Sequence, residues 1–490
     1  MSTLVGKCEQ AAASDARTLD PVSTTDTITR SSGSRGPHRR SRFGVRSVAG
    51  FVGRPLSFLQ RLAEEHGDVV ELTMLGRPWT LLFHPDDIED LLVGHAADLA
   101  RDDYSNVLKR VLGEGLLTSD GELWKKQRRL ASAAFTPKRI REYAEAMSRV
   151  TDQGLARWKD GERVQLHEEM SHLTLEVVAD VLFGASVSKA DVDTVRESME
   201  VFNVLFAQSA ETVLRIPTWV PTPLNRAAQR AVERLDGLIA RIVETRRRSG
   251  ERRNDVLDAL LTATDEDGTK MNDKQLRDEV VTLFLAGHET TALALTHALY
   301  FVGKHPEVAR RLRAELTEVL GGRLPTQADV TKLAYTDRII KESMRLTPPA
   351  WVTGREISKE ISIGGKRMAK GTQVMVSQWV VHRDPRWWPN PEAFDPDRFE
   401  PEKVKARPRF SYFPFGGGPR VCIGNHFAMM EAILMLAIIA QRFDVELLPF
   451  EQLAFSPSVT LRPAGRGLRA VLKKRADVAH ALLASPSVSA

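Results

Sequence analysis

Cysteine is nearly absent: Cys8 and Cys422 are the only two in 490 residues. Cys8 stands in an N-terminal stretch without periodicity, so a disulfide framework is excluded and a reducing compartment, the cytoplasm, is expected. Two cysteines are also too few for an iron–sulfur cluster, which takes about four ligands. Long apolar runs are missing. The best stretch, Ala432 to Ala440, is flanked by Glu431 and Gln441 and falls well short of the about 18 residues a membrane helix needs. The N-terminus offers no apolar segment for a signal peptide or a membrane anchor. Its Ser, Thr and Arg would suit a transit peptide, but Glu9, Asp15, Asp20 and Asp26 do not, and a disordered leader is the simpler account. A strong charge bias is lacking too. Lys and Arg number 69 against 64 for Asp and Glu, a surplus too small to imply a nucleic-acid partner.

No Gly/Ser linker, repeat or low-complexity block divides the chain between its ends. The expected layout is a disordered leader over 1–45, one large domain over 46–475 and a small-residue tail over 476–490. Helical patterns dominate. Asn272 with Gln275 three positions on resembles a capping box. The helix it opens runs through Val280, Leu283, Phe284, Thr291 and Leu295 towards Gly303, and Pro306 can start the next. A second helix carries Lys341 to Arg345, and a third runs from Asn425 to about Gln441. Ile357 to Ile363, the turn Gly364-Gly365 and Gln373 to Ser377 read as strands and a turn. The fold class is mainly α with a small β portion.

The densest signal is Phe415-Gly416-Gly417-Gly418-Pro419-Arg420-Val421-Cys422-Ile423-Gly424. Glycines let a backbone approach a flat cofactor and take conformations closed to other residues. Cys422 precedes an apolar helix whose N-terminal amides would favour a thiolate. Elsewhere Gly287 interrupts a helix at about 1 kcal/mol relative to Ala, and close approach of a ligand would explain it. Glu289 and Thr290 beside it are an acid and an alcohol able to pass protons, or else a solvated face and a back-bonded hydroxyl. Glu342 and Arg345 are three apart, hence on one helical face, and such a pair is worth little if exposed. Trp124 and Arg128, four apart, also share a face, with Lys125, Lys126 and Arg129 around them.

Phe415, Gly418, Arg420, Cys422 and Gly424 match every defined position of the haem-binding signature of the cytochrome P-450 family, which this chain resembles over nearly all of 46–475. Ala286-Gly287-His288-Glu289-Thr290-Thr291 looks like that family's oxygen-activation segment. Glu342 and Arg345, with Arg398, match its structural triad, which when buried would lock the loop before Cys422. Trp124, Arg128, Arg355 and Arg420 match positions that hold the haem propionates, where the arginine fork suits a carboxylate.

The resemblance implies a mostly helical domain enclosing haem b, with Cys422 as axial thiolate and metal ligand. Phe415, Gly424 and Ala286 would line the cofactor, and Glu289 and Thr290 would be catalytic. The implied reaction inserts one oxygen atom of dioxygen into a C–H or C=C bond of a lipophilic small molecule. Electrons would come from separate proteins, a ferredoxin and its reductase. A peroxygenase or isomerase needing no electrons, and a non-catalytic haem protein, are the rival readings; Glu289 and Thr290 together argue against the first. Substrate contacts are expected in Asp102 to Leu117, Val201 to Trp219, Ala350 to Thr353 and Phe455 to Thr460. Their apolar character suggests a fatty acid, terpenoid, steroid or polyketide.

Overall fold

The computed structural model describes residues 51–475 apart from 52, 75, 212–219, 254, 265–267 and 466. Cys8, the expected leader and tail, and the last part of the Val201–Trp219 segment lie outside the described residues. The longer helices, in chain order, are α1 (Pro55–His66), α2 (Asp103–Leu112), α3 (Gly121–Ser132), α4 (Pro137–Leu155), α5 (Leu166–Phe183) and α6 (Lys189–Glu211). They continue with α7 (Pro223–Ser249), α8 (Asp273–Lys304), α9 (Pro306–Leu320), α10 (Ala334–Leu346) and α11 (Asn425–Arg442). No helix among the described residues is long and apolar enough to cross a membrane.

Helix α8 begins where its sequence says it should. Gln275 N–H donates to Asn272 Oδ1 at 2.8 Å and Asn272 N–H donates to Gln275 Oε1 at 3.1 Å, a complete capping box. The helix ends one residue past Gly303, and Pro306 opens α9 at its first position. Both α8 and α11 are buried on all sides through most of their length, the condition of a helix at the centre of a large domain. The faces of α8 are taken by α5, α10 and α11, and α11 packs also on α4.

The β portion is peripheral. Strands β1 (Val69–Met74), β2 (Arg77–Leu82), β3 (Leu99–Ala100), β5 (Thr353–Ile357) and β8 (Gln373–Val376) form one sheet in the order β1-β2-β8-β5-β3. Only the β2–β8 pair in it is parallel, with Trp79 opposite Gln373. The expected strand from Ile357 to Ile363 is two pieces: β5 ends at Ile357, and β6 (Ile361–Ile363) turns at Gly364-Gly365 into β7 (Lys366–Met368). Beyond α11, β9 (Phe443–Leu447) joins β12 (Arg469–Lys474) and β4 (Arg163–Gln165), and β10 (Phe455–Pro457) pairs with β11 (Leu461–Pro463) as a hairpin.

Between β8 and α11 the chain has little long regular structure, and a buried ionic knot holds it. Glu342 and Arg345 are both fully buried and meet as a two-bonded fork, at 2.7 and 2.8 Å. Arg345 also donates to the carbonyls of His382, Pro391 and Ala393 at 2.9, 2.7 and 3.0 Å. Arg398 Nε reaches Glu342 Oε1 at 3.3 Å, and its Nη2 donates to the Asn390 carbonyl at 2.8 Å. The triad is structural, as the family resemblance implied. Removing one partner of a buried ion pair costs about 3–5 kcal/mol, because the other charge is left uncompensated. Glu342→Ala is therefore expected to lower the denaturant midpoint sharply, while Glu307→Ala, at an exposed position on α9, should move stability by less than about 0.5 kcal/mol. Equal midpoints for the two variants would refute the assignment.

Candidate active site

The loop that presents Cys422 is a tight turn stacked on its own fold. Gly416 and Gly418 have φ of 71° and 66°, the left-handed region where glycine is unstrained. A Cβ at Gly418 would collide with the Leu92 carbonyl, and one at Gly417 with the Phe410 ring. The contacts that demand these two glycines are with protein, a different reason from the approach to a cofactor expected from the sequence. Cys422 N–H closes the loop on the Phe415 carbonyl at 3.0 Å, and Arg128 Nη1 braces the Val421 carbonyl at 2.9 Å.

The Cys422 thiol lies deep within the fold, yet protein atoms do not cover it and it counts as exposed. Burial pushes the thiol up, and the Gly424 amide and the Arg128 charge offset this only in part. Helix-end stabilisation of a thiolate is thus weaker than the sequence suggested. A bound metal cation would deprotonate the thiol outright.

A similar opening occurs on α8. From Asp278 to Leu299 every residue is buried except Ala286, which is exposed, and Gly287 and Thr290, which are partly so. Ala286 and Thr290 are four apart and share a face. Thr290 Oγ1 donates to the Ala286 carbonyl at 2.8 Å, so its proton is engaged while its lone pairs stay available as acceptors. A Cβ at Gly287 would press on Val178 of α5 at 3.3 Å. Helix packing therefore accounts for this glycine, where the sequence pointed to ligand approach.

Glu289 points elsewhere. It is buried and accepts from Arg462 Nε at 2.6 Å and from Thr460 Oγ1 at 3.4 Å. Burial raises its carboxyl, but the charge and hydrogen bond of Arg462, with His167, hold it down at about 2. The carboxylate and the Thr290 hydroxyl are not hydrogen-bonded to each other, because successive helical residues diverge by about 100°.

Cations gather on another side. Arg355 is buried, and Arg420 lies over the Trp124 ring at 4.3 Å, donates to the Ser119 carbonyl at 3.1 Å and pairs with Asp120. Arg101 joins them. Its backbone N–H donates to Asp120 Oδ2 at 2.8 Å, its Nη2 donates to the Leu116 carbonyl at 3.3 Å, and its Nε is buried without a partner among the described residues. Burial, then the charges of Arg355 and Arg420, pull Arg101 well below the usual arginine value. This cluster wants an anion. A thiol at the end of a closed loop, an open stripe on the core helix α8 and an arginine cluster with fewer anions than cations suit a haem, which Cys422 would hold by its iron and Arg101, Arg355 and Arg420 by its propionates.

The expected substrate segments meet one another around α8. The Leu116 amide donates to Glu279 Oε2 at 3.1 Å, and Gly115 lies so close to Thr282 that a Cβ there would collide with its hydroxyl. Ser458 Oγ donates to Asn203 Oδ1 at 2.7 Å, and the Trp351 indole donates to the Ser458 carbonyl at 2.9 Å. Sequence reasoning missed Arg101, Arg462, Glu279 and Glu431. Arg101 sits in the run Ala100-Arg101-Asp102-Asp103, which is indistinguishable from a surface turn. Glu279 and Glu431 fall on apolar helix faces, and that was the available clue.

The family model for cytochrome P-450 matches residues 35–466. Cyclooctatin synthase of Streptomyces melanosporofaciens is 39% identical over 83% of this chain and 89% of its own length. Cyclooctat-9-en-7-ol 5-monooxygenase of the same organism is 34% identical over 81% and 86%, and pentalenene oxygenase of Streptomyces avermitilis 32% over 81% and 88%. With the Cys422 loop, the buried triad and the cation cluster in place, these matches settle the family: the chain belongs to the cytochrome P-450 family of haem-thiolate monooxygenases.

Proposed function

We propose that the lipophilic substrate of this monooxygenase is a terpenoid alkene or alkenol, hydroxylated or epoxidised at a position held over Ala286. The relatives carry the reading: the name of one denotes a monooxygenase acting on an alkenol, and that of another an oxygenase of an alkene. Leu117, 39% exposed on the loop above α8, offers the apolar contact such a skeleton needs. Bound haem supplies the chemistry, since a thiolate ligand donates density that favours O–O cleavage. Around it the protein contributes Arg101, Arg355 and Arg420 as anchors and Trp124 and Arg128 as braces. Phe415 and Gly424 frame Cys422, and Thr290 Oγ1 is the proton-handling group on the open face. Glu289, kept ionised by Arg462 and not bonded to Thr290, holds no proton to give at neutral pH and is proposed as the charge that seats Arg462 and Thr460 against α8.

A ferredoxin and its reductase are the proposed electron donors, working with the enzyme in the cytoplasm. Supporting the first is a basic patch: Lys125 and Arg129 are exposed on α3, with Lys126 between them, beside the Arg128 that braces the Cys422 loop. An acidic protein would dock there.

The substrate reading is tested by titrating the purified protein with alkenes, alkenols, fatty acids and steroids and following the Soret shift; shifts only with fatty acids or steroids would overturn it. Cys422→Ser is expected to abolish the strongly red-shifted carbon-monoxide band of the reduced protein, and survival of the band unchanged would remove Cys422 as ligand. Thr290→Ala keeps a good helix former, so fold and haem content should persist while product per electron pair falls several-fold and hydrogen peroxide appears; Thr290→Ser should keep more coupling. Full coupling in the Ala variant would take Thr290 out of the mechanism. Charge reversal at Lys125, Lys126 and Arg129 is expected to slow reduction by ferredoxin at least several-fold at low salt and to spare peroxide-driven turnover. An equal loss in both assays would indicate damaged haem binding instead.

A further inference from the structure

Glu431 lies on α11, nine residues after Cys422, and is fully buried. Both its carboxyl oxygens are enclosed and lack a hydrogen-bond partner among the described residues. The polar group that bears on it is the Thr291 hydroxyl of α8, which itself donates to the Gly287 carbonyl at 3.2 Å. The helices α4, α8, α9 and α10, the short helix Gln327–Val330 and strand β9 pack around α11, and among the described residues none brings a charged side chain that acts on Glu431. An ionised carboxylate without donors or a cation is expensive in such a place, and the group keeps its proton instead. Burial pushes it up to about 8.

Its position matters because of what lies at either end. Helix α11 starts three residues after Cys422, and at about 1.5 Å per residue Glu431 is roughly 9 Å further along the axis. Thr291 directly follows Thr290, the hydroxyl of the open face. Charge added at an iron on Cys422 would act on Glu431 through protein, where screening is weak.

We infer that Glu431 is a buried acid whose proton exchange is coupled to the electron at the iron, and which through Thr291 positions the turn of α8 that carries Thr290. The inference rests on Cys422 holding haem. Below its titration point Glu431 already carries the proton, and the electron arrives alone. Above that point, and up to the higher titration point of the reduced protein, the oxidised protein holds Glu431 as a carboxylate, and uptake of one electron by the iron is matched by up to one proton taken from solvent onto Glu431. Extra negative charge at the iron raises the proton affinity of Glu431. The reduction potential should therefore be constant at low pH and fall as pH rises past the oxidised-state titration.

The test is spectroelectrochemical titration of the holoprotein from about pH 6 to about pH 10. Wild type is expected to show a potential that falls above about pH 8, and Glu431→Gln, isosteric and always neutral, to hold a flat one. Glu279 of α8 is the control. It is likewise buried and pushed up to about 8, and Glu279→Gln should leave the wild-type slope in place. A flat wild-type profile, or a slope that persists in Glu431→Gln, overturns the inference. Should that variant fail to bind haem, the redox-difference infrared spectrum of wild type above pH 8 decides. A carboxylic-acid C=O band must appear on reduction and vanish from the oxidised state, and its absence is equally fatal. Loss of the red-shifted carbon-monoxide band in wild type would instead sink the Cys422 reading on which the inference stands.

Discussion

The fork between Glu342 and Arg345 is the constraint from which the rest of the site is hung. Neither charge meets water, so each must be matched within the protein, and Arg345 does so by gathering carbonyls from a stretch that has no regular structure of its own. A segment without a helix or a sheet to satisfy its backbone takes whatever shape its partners dictate. Here they dictate that residues 389–398 fold back against α10. Phe410 and Phe413, which follow, then pack into the core beside Leu92, and the glycine turn before Cys422 is laid on them. Buried ion pairs are weak evidence for stability. Their contribution in this protein is registry.

Charge inside the fold is distributed unevenly, and the unevenness follows the chemistry. On one side Arg101, Arg355 and Arg420 have Asp120 and Asp102 as their near counter-charges, three cations to two anions. On α8 and α11, Glu279 and Glu431 have no cation near enough to ionise them and stand as neutral acids, whereas Glu289 is kept anionic by Arg462. Three carboxyl groups around one helix pair thus occupy two protonation states at neutral pH, set by burial and by a single guanidinium.

Much of this was legible in the sequence. The capping box at Asn272, the span of α8 and the start of α11 at Asn425 depend on local pattern, which a sequence displays, whereas the burial of the Glu342–Arg345 pair came only from the family resemblance. The cofactor loop was legible because its glycines and cysteine are crowded into one short run. What the sequence concealed is whatever depends on the approach of distant segments. Arg462 and Glu289 are far apart in the chain, and nothing in either neighbourhood announces the other. The roles of Gly287, Gly417 and Gly418 depend on Val178, Phe410 and Leu92, which no spacing rule connects to them. Arg128 braces the Val421 carbonyl through a partner almost three hundred residues away, and helical periodicity speaks only of the face it occupies.

The bond between Arg462 and Glu289 has a consequence for how the hairpin β10–β11 can move. That hairpin carries Ser458 and Thr460 near the expected substrate contacts, and its second strand supplies the guanidinium that keeps Glu289 charged. Displacing the strand would strand a carboxylate in the interior, and the carboxylate would respond by capturing a proton. Linkage is reciprocal: protonating Glu289 must loosen the hairpin by the same free energy with which moving the hairpin favours protonation. The β10–β11 hairpin and the Glu289 carboxylate of α8 are thereby one thermodynamic unit, so a molecule that shifts the first retunes the second without touching it.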